Sequence, residues 1–519
     1  MMNKSPRAKS FHGGLALNGH KLESTSGTLK TAAVPAQLIL PLTQHAGRAA
    51  VPVVNAGDRV LGHQEIARPD GEVSCSLHAP TSATVLGVQR LPIPHPSGLM
   101  GDCLVLQPDG KNEFGNFLPA MDPDHLDLPS LLTRVSDAGI AGLGGATFPT
   151  ATKLAGAAAS TGITLVINGA ECEPYITCDD MLMREQADQI LLGAKIVLDA
   201  LGAQRALVAI ERDKLKALES MSAAIDRLGD PRFQLEKIFT IYPAGGERQL
   251  IQVLSGKEVP AGKLPIDIGY LCQNVATLAA IYRAVKDGHP LVSRITTVTG
   301  SGIAEPGNYL TMLGTPLGAL AESAGGYSPK ASRLIMGGPM MGIALPSDEV
   351  PVVKATNCML VLQEDEVRAT GDQMPCIRCG ECEQACPSQL QPQELYWHIR
   401  GNDLAGADEL NLSACIECGC CDFVCPSHIP LSQYYRFAKS QVRLLDARRV
   451  QSDIARQRFE DRKERLDSEA ARRKQRLEEK RKKRASQEKA PKAIKGEIDA
   501  ILARSKAKQT DADEGGETQ

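Results

Sequence analysis

Eight of the chain's fifteen cysteines repeat one spacing twice. The first copy is Cys376-x2-Cys379-x2-Cys382-x3-Cys386, followed by Pro387; the second is Cys415-x2-Cys418-x2-Cys421-x3-Cys425, followed by Pro426. Three thiolates at x2-x2 spacing suit three corners of one iron–sulfur cubane, so two 4Fe–4S clusters are expected. In two-cluster ferredoxins the fourth cysteine of such a run ligates the other cluster. By that rule one cluster takes Cys376, Cys379, Cys382 and Cys425, and the other takes Cys386, Cys415, Cys418 and Cys421. Each fourth cysteine is expected to start a helix, with the proline in a first turn where no N–H is needed. Zinc is the competing ligand, but it usually takes four thiolates as two spaced pairs. Cys420 breaks the spacing and reads as a spare buried thiol. Cys75, Cys103, Cys172, Cys178, Cys272 and Cys358 have no ligand spacing and read mostly as small buried hydrophobes. Paired clusters move electrons singly, so another group must supply electrons one at a time.

A second set of residues lies upstream. GIAGLGGATFPTATK, from Gly139 to Lys153, is glycine-rich but lacks the Gly-Lys-Ser/Thr of a Walker A loop. It reads either as a tight turn between two helices or as bare backbone against which a ligand lies, with Lys153 within reach of a phosphate. A short apolar run ending in Asn168 is followed by Gly169-Ala170-Glu171-Cys172-Glu173-Pro174. Acids at a strand end are either solvated turn residues or the ligand edge of an open α/β sheet. YPAGGERQL places Gly245, Gly246 and Glu247 before a helix, and Cys272-Gln273-Asn274 opens another.

The elements that position these residues follow from patterning. Residues 1 to about 105 alternate short apolar runs with turn residues, the mark of a small all-β module. Residues 109–127 are a polar connection. From 128 to 290 helical periodicity, as in LPSLLTRVSDAGI and QADQILLGAKIVLDALG, alternates with the strand-like TLVING and RALVAIE. That alternation predicts an α/β domain with a parallel sheet. Residues 292–346 read as short strands with one helix at PLGALAESAG. The cysteine clusters occupy 355–440, and a charged tail runs from about 443 to 519.

Composition sets outer bounds. A chain of 519 residues needs three or four units at roughly 100–200 residues each. A net charge of −3 gives no global pull toward nucleic acid. The absence of a long apolar run argues against a membrane span, and the opening MMNKSPRAKSFHGG has no signal-peptide pattern. A cytosolic setting is therefore expected, and there thiols serve metals or catalysis rather than disulfides.

GLGGATFPT-x3-K, NGAECEP, YPAGGERQL and QNVATLA, in this order, resemble the motifs of the FMN- and NADH-binding subunit of respiratory NADH dehydrogenase. With the β module ahead and two ferredoxin motifs behind, the chain resembles the RnfC family, the C subunits of the Rnf (Rsx) ion-translocating oxidoreductase complex, over about residues 10–440. The resemblance implies a multi-domain α/β and β fold. Its parts are a barrel-sandwich hybrid domain at 1–108 and an FMN/NADH-binding α/β domain at 128–290. A soluble-ligand-binding β-grasp unit at 291–350, a two-cluster ferredoxin-like helical domain at 355–440 and a charged helical or disordered tail at 443–519 complete it. It implies that Gly142, Gly144, Gly145 and Lys153 hold the FMN phosphate and ring edge, with Asn274 on the phosphate side. Asn168 and Glu171 are implied near the ribityl chain, Phe148 stacked on NADH, and Glu173 and Glu247 facing the nucleotide. No catalytic residue is assigned. Gly246 stands where the dehydrogenase has Glu, and Gln273 where it has Asn.

This architecture has a chemical logic, because a flavin accepts a hydride and releases electrons singly. The family places such a subunit on the cytoplasmic side of the bacterial inner membrane, peripheral, among the other Rnf subunits, carrying electrons between NADH and ferredoxin while its partners move ions. Two other readings stay open: a soluble flavin reductase such as the cobalamin reductase of microcompartments, and a non-catalytic iron–sulfur scaffold. The N-terminal module looks like a lipoyl or biotinyl hammerhead, but its tip is Pro80-Thr81-Ser82-Ala83, with no lysine for attachment. The tail reads as a solvated charged face, with a partner subunit or anionic lipid as sharper options; nucleic acid is not expected.

Overall fold

The computed structural model describes residues 10–158, 160, 162–367 and 372–510. Parts of MMNKSPRAKSFHGG and of the acidic end TDADEGGETQ lie outside the described residues. The chain forms two units, Met1–Ala438 and Lys439–Gln519.

Leu165, Val166 and Ile167 are consecutive and fully buried, so the strand Thr164–Asn168 needs cover on both faces. It lies inside a four-stranded parallel sheet ordered 233–238, 205–211, 164–168, 270–274. The chain runs from the 164–168 strand to one side, then returns to its other side with Tyr270–Asn274. That reversal is a topological switch point at the carboxyl ends of the two strands, where open α/β sheets carry their ligand crevice. In register, Asn168 sits beside both Asn274 and Ala209. The helices Ala187–Ala200 and Val275–Lys286 pack against each other at Gly193, where a Cβ would lie 2.0 Å from the Leu278 carbonyl oxygen.

Two small antiparallel sheets form the N-terminal module, one ordered 38–41, 100–108, 83–92, 59–60 and the other 51–52, 65–68, 77–78. The hammerhead tip is buried: Thr81 hydrogen-bonds Asn112 and Ser82 hydrogen-bonds Asp109. A six-stranded sheet is built mainly from residues 293–363. Its centre includes Cys358–Gln363, parallel to Ser293–Thr299 and antiparallel to Ala331–Met336. Sequence patterning assigns that strand to the cysteine region; burial of Met359, Leu360 and Val361 draws it into the preceding sheet. One edge strand is Lys30–Thr31, paired with Tyr309 and Leu310. Residues 10–32 therefore run outside the barrel sheets and along the later units.

The cysteine region has its own core, in which Leu395, Tyr396, Ile399, Leu431 and Tyr435 pack with the thiols. Its two halves repeat at an offset of 39 residues, Cys376 to Cys415, and the repeat extends to the backbone. Arg378 and Glu417, Gly380 and Gly419, and Gln389 and His428 all have positive φ. The short helices Glu381–Gln384 and Cys420–Phe423 also correspond. These helices precede the fourth cysteines, so Cys386 and Cys425 do not start helices as the spacing suggests. Each lies past the helix end, and the prolines enter turns completed by Gln389 and His428.

The second unit contains the helix that runs to Thr510, within Leu431–Thr510. Its side chains described from Arg443 to Gln487 and from Ile494 to Ala507 include exposed Leu444, Phe459, Leu466 and Ile498. Local pairs such as Arg456–Asp453 lace it. No helix among the described residues is long and apolar enough to cross a membrane.

Candidate functional site

The glycine loop connects two helices, Leu128–Asp137 and Thr150–Ala157, and also borders the crevice. The reading as a turn between two helices is therefore met, and the loop also lies at the strand ends. Gly142 N–H donates to the Phe148 carbonyl at 2.9 Å, closing the loop. Leu143 N–H donates to Thr277 Oγ1 at 2.9 Å, tying it to the helix that Asn274 caps. A Cβ on Gly144 would stand 3.1 Å from Asn274 Cβ, so the two stretches touch. Gly145, at φ +126°, has no heavy atom within 4 Å of a Cβ position, leaving bare backbone facing open space. Phe148 is 39% exposed beside it.

The other predicted residues surround the same strand ends. Lys153 Nζ reaches Glu247 Oε1 at 2.8 Å and the Cys272 carbonyl at 2.7 Å. Asn168 donates to the Gly245 carbonyl at 2.9 Å and accepts from Ala170 N–H at 3.0 Å, fixing the turn after its strand. Asn274 accepts from Ala276 N–H and donates to Asp179 at 2.6 Å. Burial and the neighbouring Glu171 push the Asp179 carboxyl up to about 7, against the Asn274 hydrogen bond. The structure thus brings the glycine loop, Lys153, Asn168, Glu247 and Asn274 together.

Glu171 and Glu173 are engaged elsewhere. The buried Glu171 carboxylate accepts from the N–H groups of Asp179 and Asp180, anchoring the start of the helix Cys178–Glu185. The resemblance aims Glu173 at the nucleotide, but its Oε1 accepts from Met340 N–H at 3.0 Å and Met341 N–H at 2.8 Å. Gly338 leaves room for it there, since a Cβ on that residue would fall 2.5 Å from Glu173 Oε1. The turn carrying both acids is held by two lysines, Lys214 buried and Lys21 half-buried. Lys21 donates to the carbonyls of Glu171, Glu173 and Ile176 at 2.7, 2.6 and 2.6 Å. Lys214 pairs with Glu211 at 3.0 Å and donates to the Glu171 carbonyl. Burial opposes the Lys214 charge, but Glu211 and Glu171 outweigh it and raise its pKa. Lone lysines in polar contexts carry no motif, so neither was visible in the sequence.

The eight repeat cysteines line two separate cavities. Cys376, Cys379, Cys382 and Cys425 share one with Tyr396 and Ile429. Cys386, Cys415, Cys418 and Cys421 share the other with Leu395 and Tyr435. Cys420, fully buried, also borders the second cavity. Leu390 N–H points at Cys386 Sγ while Glu417 N–H points at Cys415 Sγ, each at 3.4 Å. Backbone donors to sulfur suit thiolate ligands of an iron–sulfur cluster. The donor set therefore fits two 4Fe–4S clusters, and the bare glycine loop beside the helix that begins at Val275 fits a flavin phosphate. The buried Gln273 Nε2 at that strand end has no partner in the structure.

The second cavity abuts the α/β domain. Tyr242, only 3% exposed, donates from its hydroxyl to the Cys418 carbonyl at 2.7 Å. Two residues on, Ala244 and Gly245 begin the turn that faces the crevice, and Gly245 N–H donates to Cys172 Sγ at 3.4 Å. Tyr242, Ala385, Cys418 and Cys420 form one apolar cluster with Cys172, Met340 and Leu15 against it. Burial pushes the Cys172 thiol up to about 12, keeping it neutral. Tyr242 lies inside the YPAGGERQL stretch, yet its glycines and acid alone carried the sequence signal.

An open α/β sheet end packed beside two four-thiol cavities defines the class of protein built to hold a flavin and two iron–sulfur clusters. The families matched are described as "RnfC Barrel sandwich hybrid domain" over 9–111, "Nuo51 FMN-binding domain" over 135–283, "SLBB domain" over 295–344 and "4Fe-4S dicluster domain" over 373–429. A relative from Pseudomonas aeruginosa, named as the C subunit of an ion-translocating oxidoreductase complex, is 47% identical over 463 residues, 89% of this chain and 59% of the relative. Relatives of the same name from Pectobacterium atrosepticum and Yersinia pestis bv. Antiqua are 44% and 45% identical, over 90% and 88% of this chain and 67% and 73% of theirs. The chain belongs to this RnfC family, the C subunits of ion-translocating oxidoreductase complexes. It spans 59% of the length of its Pseudomonas relative. A solved NAD+-reducing nickel–iron hydrogenase in the H2-reduced state aligns over 60% of each chain, with a TM-score of 0.44 and 21% identity.

Proposed function

We propose that this chain is the electron-input subunit of an ion-translocating oxidoreductase complex, peripheral to the membrane on its cytoplasmic face. It passes electrons between NADH and a ferredoxin pool while other subunits move the ion. The observation that carries this reading is the Tyr242–Cys418 hydrogen bond, which places one four-thiol cavity directly against the α/β domain. When bound, FMN converts a hydride's two electrons into single ones. Gly142, Gly144, Gly145 and the start of the helix at Val275 bind its phosphate, with Asn274 and Lys153 at the edge. Asn168 orients the turn that closes the crevice. Phe148 offers an exposed ring for the nucleotide, and Glu247 holds Lys153 in place.

The cysteine cavities differ in position. The cluster of Cys386, Cys415, Cys418 and Cys421 is inner: Cys386, Cys418 and Cys421 are each under 10% exposed. The cluster of Cys376, Cys379, Cys382 and Cys425 is outer, with Cys379 exposed and Ile377 68% exposed beside it. Cys386, Cys415, Cys418 and Cys421 would hold the cluster nearer the flavin domain, and Cys376, Cys379, Cys382 and Cys425 the one open to a partner subunit.

The test is a flavin, iron and NADH–ferricyanide assay on reconstituted protein, together with EPR of Cys386→Ala. The expected loss falls on the cluster of Cys415, Cys418 and Cys421. Loss of the Cys376 cluster instead overturns the ligand sets, and absence of both flavin binding and NADH oxidation overturns the function.

A further inference from the structure

Residues 13–24 belong to no sheet, yet they touch both halves of the electron path. Gly14 N–H donates to the Ala385 carbonyl at 3.0 Å, one residue before Cys386. Leu15 and Tyr242 exchange both backbone hydrogen bonds, at 2.8 and 2.9 Å. Further along, Gly19 accepts from Tyr175 N–H at 2.8 Å, and Lys21 binds three carbonyls of the turn after Asn168. One segment therefore holds the inner cluster's loop, the Tyr242 loop and the crevice turn in a single register.

Glycine at 13 and 14 is what permits this approach. Both residues have positive φ, +69° and +82°. A Cβ at Gly13 would lie 2.7 Å from the Ala385 carbonyl carbon, and one at Gly14 would lie 2.7 Å from the Tyr242 carbonyl oxygen. In both cases the obstacle is backbone, which cannot swing aside as a side chain does. Gly27, by contrast, has no atom within 4 Å of a Cβ position.

We propose that residues 13–24 form a strap that sets the spacing between the flavin crevice and the inner cluster, and thereby the rate at which electrons pass between them. The proposal rests on the electron-carrier reading above. The strap does no chemistry. NADH is oxidised to NAD+, releasing one proton to solvent and two electrons, and each 4Fe–4S cluster is reduced by one electron. The strap governs the distance crossed between the two sites.

The experiment uses the full chain, reconstituted with iron, sulfide and FMN and mixed anaerobically with NADH in a stopped-flow instrument. Flavin bleaching and cluster bleaching are followed separately. For the Gly13→Val/Gly14→Val variant, the flavin phase is expected within about twofold of wild type, while the cluster phase slows about 10- to 100-fold, the scale of an ångström-level misplacement. Gly27→Ala is expected to match wild type. Hydrogen exchange supplies a readout independent of turnover: the amides of Leu15, Tyr175 and Tyr242 should exchange faster in the double variant. Should that variant lose iron, the milder Gly14→Ala is measured in its place.

An unchanged cluster phase with faster amide exchange overturns the proposal, because the strap would then be released without consequence. Equal slowing of both phases also overturns it, since the strap would then be shaping the flavin site itself. If wild-type flavin is not reduced by NADH, the electron-input reading fails, and photoreduction of the flavin still measures the strap's effect on the cluster phase.

Discussion

At the scale of single residues, two side chains make separable predictions. Tyr242→Phe removes one hydrogen bond and leaves the Cys418 carbonyl without its partner, at a cost of about 1–3 kcal/mol in unfolding free energy. EPR of the variant should show a changed signal for the inner cluster and an unchanged one for the outer; equal changes in both would remove Tyr242 from any special place beside Cys418. Asp179 holds its proton up to about 7 in the folded chain, whereas an unfolded Asp releases it near 3.8. Between those values the folded state binds more protons, so stability from this group is full at the acid end and declines as pH rises toward 7. Asp179→Asn keeps an acceptor for Asn274 and removes the decline. The wild-type-minus-variant unfolding free energy should therefore fall from pH 5 to pH 7, and a level difference would contradict the assignment.

Elements depend on close backbone approach. Gly193→Ala drives a methyl against the Leu278 carbonyl, where only 2.0 Å is available. The helices Ala187–Ala200 and Val275–Lys286 must separate, at a cost of about 1–3 kcal/mol, measurable as a lowered denaturation midpoint. Gly145→Val strains a backbone at φ +126° without meeting any neighbour. Its expected effect is reduced flavin retention with iron content unchanged, read as flavin and iron per chain. The helices, the parallel strands and the glycine loop were legible in the sequence because periodicity and turn chemistry are local. Cys358–Gln363 was not, since an apolar strand next to a cysteine region shows no sign of which sheet it completes. The short helices before Cys386 and Cys425 carry no local sign for a related reason: the prolines mark a break, and the break closes a turn rather than opening a helix.

For the whole molecule, the tail and the two cavities can be tested apart. Between 439 and 510 the chain carries 24 Lys and Arg against 12 Asp and Glu, in a protein whose net charge is −3. The side chains described from Arg443 onward are exposed, so truncation after Arg449 should leave flavin content, iron content and the unfolding midpoint of residues 1–438 unchanged. A drop in any of the three would show that the tail supports the first unit.

By itself the sequence determined the two four-cysteine runs, the glycine loop and the order of the units, because each is a matter of residue type at short spacing. Only the tertiary structure decided that Glu173 faces Met340 and Met341, that Lys21 anchors the turn after Asn168, and that Cys418 meets Tyr242. Those contacts join residues more than 150 positions apart. A lysine in a polar stretch or a tyrosine before a proline has many places to go, and its destination is chosen by which buried carbonyls are left needing a donor. The same requirement brought residues 13–24 out of the N-terminal sheets and onto Ala385, Tyr242 and the turn after Asn168.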